Sequence, residues 1–388
     1  MSVTAPAGFV AAGGSVGIKA GGQPDMAVVA SDGGLPVAAA GVFTRNLAAA
    51  APVVVSREHL VRSRGRAAAV VLTSGNANAA TGAPGEAAAR GLCSSVAQAI
   101  GAAPTEVLVC QTGLIGVPFP AVSPEAVSAL VAKRGEGRAA ASAAAHAIMT
   151  TDTVAKEAVA SAGDCTVGGM AKGAAMLAPD MATMLAVVTT DAVADPPELR
   201  AMLGAGVASS FNAMTVDGCT STNDTVVLLA SGRCGRVHTD TLAAAVAEVC
   251  RSLAEQMVAD AEGATKVALV RVEGARTDAE AHQAARKVAG SMLVKCSING
   301  ADPYWGRVVS ELGSAGVAFE LNRVSVSYGG IEVCRGGVAA EHDPAGLARH
   351  MACRRIDISC DLGIGAGRAA VLATDLGHGY IDENRTTS

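Results

Sequence analysis

At 388 residues, with 50% hydrophobic and 17% charged side chains, the chain is globular rather than disordered and too long for one small core. Its net charge of −5 excludes a general nucleic-acid surface and favours a small charged metabolite as partner. Aromatic residues make up only 2%, so the core must be built from Ala, Val, Leu, Ile and Met in thin, closely spaced layers.

In chain order, the N-terminal stretch has neither a basic n-region nor a signal-length apolar core. Strands are predicted over 37–46, 67–72 and 106–110, each ending in a Gly/Thr/Asn-rich loop. Residues 86–102 read as an alanine-rich helix, and 124–133 with 137–149 as a second helical region. Further on, helices are predicted over 197–214, 240–260 and 278–294, with strands over 183–190, 225–230, 266–272, 324–328 and 356–374. This mixed order predicts α/β (α+β) layers and not a solenoid or bundle. No uncharged segment reaches the roughly 18 apolar residues of a membrane span, so a soluble protein without a membrane partner is expected.

The ten cysteines form no CxxC pair, and Cys93, Cys110, Cys250 and Cys296 sit in apolar runs, as buried free thiols do. That usage points to a reducing cytoplasm. The seven histidines lack HExxH or Cys/His ligand spacing, so no metal site is expected. Gly363-Ile364-Gly365-Ala366-Gly367 precedes a strand-like run where a phosphate fingerprint needs a helix, and reads as a hairpin turn. Gly168 to Gly173 lacks the GK[ST] ending of a phosphate loop, so no nucleotide cofactor is expected.

A Gly/Ala/Pro-rich approach from Lys172 runs into Thr183, which opens the β-type run TMLAVVTTD. A threonine freed at its own nitrogen carries nucleophile and base together, because a neutral α-amino group (pKa roughly 7.7–8.0) can take the hydroxyl proton. An internal threonine lacks that base, and a lone Ala-Thr pair in an apolar run is ordinarily structural. Thr112-Gly113, after the strand VLVC, can aim a hydroxyl and a backbone N–H at one point; on spacing alone it is an ordinary turn. Lys172 can pair with a substrate carboxylate and Glu262 with an ammonium, although most such charges are simply solvated. Asn76, Asn78, Asp217, Asn223 and Asp224 read as loop-ordering side chains.

Lys172-Gly173, Met176, Pro179 and Met181-Ala182-Thr183-Met184-Leu185 together resemble the signature of the ornithine acetyltransferases, the ArgJ family. Blocks in family order agree: Gly41-Val42-Phe43-Thr44-Arg45-Asn46, Ser74-Gly75-Asn76-Ala77-Asn78, Thr112-Gly113-Leu114-Ile115-Gly116, Met149-Thr150-Thr151-Asp152, Ser221-Thr222-Asn223-Asp224-Thr225 and Asp260-Ala261-Glu262-Gly263. The resemblance runs from about Thr4 to the C-terminus.

It implies a layered αββα sandwich and a self-cleaving, N-terminal-threonine nucleophile enzyme. Cleavage between Ala182 and Thr183 would give an alpha chain, 1–182, and a beta chain, 183–388, that stay associated in a heterotetramer. The implied reaction carries acetyl from N2-acetylornithine to glutamate through Thr183, with no cofactor and a cytoplasmic setting; acetyl-CoA as a second donor is an alternative that composition and spacing leave open. Thr112 and Gly113 become the oxyanion hole. Thr150, Lys172, Thr183, Glu262, Asn384 and Ser388 become substrate contacts. The rivals are a self-cleaving aminopeptidase or amidase, a paralogue in a specialised pathway, and a non-enzymatic scaffold. Three departures stand out: Tyr304 where the family has asparagine, Ala79-Ala80 closing a loop that usually ends in Ala-Cys, and a tail that lacks the usual tyrosine. Tyr304 is expected near the site.

Overall fold

The computed structural model describes residues 2–177 and 184–385. Two sheets lie face to face. The first has the order Phe9–Gly14, Met26–Ser31, Ala69–Asn76, Val107–Leu114. The second runs Arg66–Ala67, Val37–Phe43, Thr225–Gly235, Leu185–Ala192, Cys165–Lys172, Lys156–Ala162. Thr225–Gly235 and Leu185–Ala192 pair in parallel; their outer neighbours pair antiparallel.

Alternation along each strand builds the layers, because successive side chains leave a strand on opposite faces. Phe9, Ala11, Val29, Val70, Leu72 and Leu108 meet Met170, Leu185, Val187, Val227 and Leu229 between the sheets. The intervening residues Val10, Val28, Val71 and Val109 pack outward on helices Gly82–Ile100 and Pro124–Val131. On the far side, Ala186, Val188, Val226 and Leu228 cover helices Pro196–Ala208 and Thr239–Ala259. The result is helix, sheet, sheet, helix, as expected. Small residues allow the close spacing: a Cβ on Gly13 would fall 2.0 Å from the Ala143 carbonyl oxygen of helix Gly137–Ala147.

A third sheet, not foreseen as a separate layer, follows the order Met214–Thr215, Gly367–Thr374, Val267–Ala275, Arg355–Asp361, Ser325–Tyr328, Ile331–Arg335, Val338–Ala339. Its core is backed by helices Asp278–Ala289, Met292–Asn299, Trp305–Gly313 and Pro344–Met351. Among the described residues, no helix is long and apolar enough to cross a membrane.

Several expectations are corrected here. The glycine-rich segment 363–367 is no hairpin, because Val267–Ala275 lies between the strands it joins. The helix expected over 278–294 is two helices, since Ser291 caps a new one by accepting from the Val294 N–H. The helix expected over 197–214 stops at Ala208, and Met214 belongs to a strand. Cys93, Cys110 and Cys250 are buried, but Cys296 is exposed on Met292–Asn299.

Candidate active site

The strand Val107–Leu114 is apolar and buried up to Cys110, carries buried Gln111 and Thr112 next, and becomes half-buried at Gly113, where it delivers Thr112 and Gly113 to a cavity of about 430 Å³. The same cavity is lined by Thr150, Lys172, Glu262 and Asn384, together with Thr151, Ser221, Asn223 and Arg385. Six expected site residues thus converge from five parts of the chain. Thr183, its neighbour Ala182 and Ser388 lie outside the described residues. Met184, the next residue after Thr183, is buried and donates its N–H to Asp224 Oδ1 at 2.9 Å.

Gly113 has φ +131°, and its register partner is Gly75 on the parallel strand Ala69–Asn76. A Cβ at Gly113 would fall 2.3 Å from the Gly75 carbonyl carbon and 2.4 Å from the Asn76 nitrogen. Only glycine fits that conformation in that space. Just beyond, the register shifts at Asn76, which is how a strand end is re-aimed.

Asn76 and Asn78 order the adjoining loop, as expected. Asn76 Oδ1 accepts from the Asn78 N–H at 2.8 Å, and Asn78 Nδ2 donates to the Gly85 carbonyl and Gln111 Oε1. Asn223 Nδ2 donates to the Ala77 carbonyl at 2.6 Å and the Gln111 carbonyl at 2.9 Å, tying the loop before Thr225–Gly235 to the Thr112 strand. Asp217 accepts from the Met176 and Cys219 N–H groups. Asp224 is more than a loop brace: among the described residues its Oδ2 is buried with no hydrogen-bond partner, and burial raises its carboxyl well above the usual range.

Lys172 ends strand Cys165–Lys172, is buried, and donates from Nζ to Thr112 Oγ1 at 3.3 Å. Burial lowers its pKa, and Asp152 works against that fall. Asp152 accepts from the Gly173 N–H at 2.7 Å, the Thr150 N–H at 3.0 Å and buried Lys156. Burial alone would raise the Asp152 carboxyl, but Lys172 and Lys156 overcome this and hold it at about 2. Lys156 also pairs with Asp260, which anchors the turn carrying Glu262. Glu262 follows helix Thr239–Ala259; its N–H donates to the Ala174 carbonyl at 3.0 Å, and its Oε2 accepts from Asn384 Nδ2 at 2.8 Å.

Asp152 and Lys156 were not singled out from sequence. Asp152 closes the run Met149-Thr150-Thr151-Asp152, but nothing local signals that it sits between two buried lysines. Tyr304 is corrected: it is 54% exposed beside Arg307 and does not line the cavity.

Chemically, the cavity offers a threonine hydroxyl and a glycine N–H at one strand end, a buried ammonium beside that hydroxyl, and a carboxylate, Glu262, in the same lining. This set suits a small zwitterion and an acyl oxyanion.

A sequence model of the ArgJ family matches residues 10–386. An arginine biosynthesis bifunctional protein ArgJ of Mycobacterium leprae is 47% identical over 394 residues, covering 100% of this chain and 95% of that protein. The protein of the same name from Thermobifida fusca is 45% identical, with 100% of both chains covered. A crystal structure of arginine biosynthesis bifunctional protein argJ from Bacillus halodurans is similar at TM-score 0.50 and 34% identity, covering 51% of this chain and 97% of that one.

Proposed function

The chain belongs to the ArgJ family, and we propose that it is an enzyme of arginine biosynthesis that moves an acetyl group from N2-acetylornithine to glutamate through Thr183. The observation that carries this reading is the convergence of Thr112, Gly113, Thr150, Lys172, Glu262 and Asn384 on one cavity. The chain that follows Thr183 is tied to Asp224, in the same loop as the cavity residues Ser221 and Asn223.

In maturation, the Thr183 hydroxyl attacks the Ala182 carbonyl, the peptide shifts to an ester, and water releases a new N-terminal threonine. The products are chains 1–182 and 183–388, which stay together and assemble as a heterotetramer in the cytoplasm. A solved relative that matches over nearly its whole length while covering half of this chain supports a two-chain product.

In turnover, the Thr183 hydroxyl attacks the acetyl carbonyl and its α-amine takes the proton. The Thr112 hydroxyl and the Gly113 N–H receive the oxyanion. An ammonium has only donors, so Thr112 Oγ1 accepts from Lys172 and its own O–H proton is left to point elsewhere, toward the developing charge. The tetrahedral centre collapses to an acetyl-threonine ester, and ornithine leaves with the proton. Glutamate then attacks the ester through its amine and departs as N-acetylglutamate. Lys172 pairs with the substrate carboxylate and Thr150 lines its bed. Glu262, held by Asn384, takes the ornithine ammonium, with Ser388 closing the pocket.

That the relatives are named bifunctional proteins favours a second activity, with acetyl-CoA as alternative donor. No cofactor is required in either case.

Intact-mass spectra before and after brief exposure to N2-acetylornithine test the scheme. Two chains dividing at Ala182/Thr183, with one acetyl group on the 183–388 chain, are expected. Free acetate in place of N-acetylglutamate would mean an amidase. A Thr183→Ala variant that still cleaves or turns over would refute the reading.

A further inference from the structure

At the end of the second sheet remote from the cavity, three strands bring together a separate set of side chains. Cys165 opens strand Cys165–Lys172, Asp191 lies near the end of Leu185–Ala192, and Cys234 near the end of Thr225–Gly235. The two sulfurs and a carboxylate oxygen lie within 4.8 Å of one another. Lys172 is at the opposite end of the strand that Cys165 begins, about 23 Å away at roughly 3.3 Å per residue.

Asp191 is pre-oriented. It is buried, its Oδ1 accepts from the Thr166 N–H at 2.7 Å, and its Oδ2 accepts from the Ala7 N–H at 3.1 Å. Each carboxylate oxygen keeps a second lone pair. Among the described residues no lysine or arginine forms an ion pair with it. Cys165 is buried and Cys234 exposed, so the cluster has both a fixed floor and an open approach.

We propose that Cys165, Asp191 and Cys234 bind a thiophilic divalent cation of the zinc class, through two thiolates and one carboxylate oxygen, with water as fourth ligand. Tetrahedral zinc with Zn–S bonds of about 2.3 Å sets its sulfurs about 3.8 Å apart, within the observed spread. Two thiol protons pass to solvent on binding, so affinity rises with pH.

The site has a consequence for the mature protein, and this part rests on the cleavage reading. Cys165 precedes the cut while Asp191 and Cys234 follow it, so the cation would join the two chains.

Full-length protein, stripped with chelator and held in a phosphine reductant, is titrated with Co²⁺. One Co²⁺ per chain is expected, with thiolate-to-cobalt charge-transfer absorption that Zn²⁺ bleaches. Cys165→Ser and Cys234→Ser should each abolish the two-thiolate band; Cys234 is exposed, so its variant leaves the core intact. Asp191→Asn should weaken binding by at least about tenfold. A missing band, or one that survives both serine variants, overturns the proposal. So does a Cys165–Cys234 disulfide formed with oxidised glutathione in protein that takes up no cobalt, which would make the pair a redox couple instead. Cleavage is scored separately by denaturing mass: an uncut chain that binds cobalt keeps the site and removes only the link between chains.

Discussion

Asp152→Asn removes one carboxylate and leaves its cationic neighbours in place. In the parent, Asp152 holds Lys156, which is fully buried, and lies close enough to Lys172 to be shifted by its charge. A fall of its pKa from 3.8 to about 2 corresponds to about 2–3 kcal/mol at 1.36 kcal/mol per unit. Removing one partner of a buried pair costs about 3–5 kcal/mol, so about 3 kcal/mol is expected. With an unfolding entropy of about 2.1 cal/mol/K per residue, 388 residues give about 0.8 kcal/mol/K and a Tm lowered by about 4 °C. The pH sign follows from a depressed acid. Its stabilisation is complete above the unfolded value near 3.8 and is lost as pH falls through about 2. The variant should therefore converge on the parent in acid. Lys172 also loses the charge that counters its downward shift, so KM for N2-acetylornithine should rise as pH increases, more in the variant than in the parent. Differential scanning calorimetry and initial rates across pH measure both. A Tm within 1 °C of the parent at pH 7, with an unchanged KM profile, would refute the role given to this carboxylate.

Thr112→Val keeps the shape and deletes the hydroxyl; kcat should fall about 10²–10³-fold with KM little changed, read from initial rates on cleaved protein. Glu262→Gln retains an oxygen for Asn384 but not the charge. Losing a charge-assisted hydrogen bond of about 1.5–3 kcal/mol should raise KM for N2-acetylornithine roughly 10–100-fold while kcat holds. Gly113→Ala drives a Cβ into the Gly75 backbone, and should lower both Tm and kcat; parent-like values of both would mean the loop is looser than its packing indicates.

What could be read from sequence was whatever is local. Apolar runs ending in Gly/Thr/Asn loops marked the strands that carry Thr112 and Asn76 to the site. The loop-ordering roles of Asn76 and Asn78 followed from side-chain-to-backbone bonding over two to seven residues. Contacts across long sequence separations were invisible. Lys156 reaches Asp260 across 104 residues, and no pattern near either residue signals it. The hairpin expected at 363–367 failed for the same reason: turn chemistry fixes how a chain bends, and a third strand from elsewhere can insert between the arms. Strand Phe9–Gly14 escaped because FVAAGG carries few β-branched residues and two glycines, and its place comes from packing on helix Gly137–Ala147. Cys165, Asp191 and Cys234 come from three strands and share no spacing motif.

The order of strands in the second sheet decides what cleavage can do. Its two central strands, Leu185–Ala192 and Thr225–Gly235, follow the proposed cut, and their outer neighbours, Cys165–Lys172 and Val37–Phe43, precede it. Separating chains 1–182 and 183–388 would break two antiparallel ladders, those pairing Thr225–Ala230 with Ala38–Phe43 and Val167–Lys172 with Leu185–Thr190. It would also open the inter-sheet core, where Phe9, Val29 and Leu72 meet Leu185, Val187 and Leu229. Freed strand edges and apolar faces of that extent have no stable exposed form. The cleaved chains should therefore travel together in native mass spectrometry, and come apart in urea only where the circular dichroism of the whole protein is lost. A single chain released before that transition, folded and soluble by itself, would show that the interleaved sheet does not hold the two pieces together.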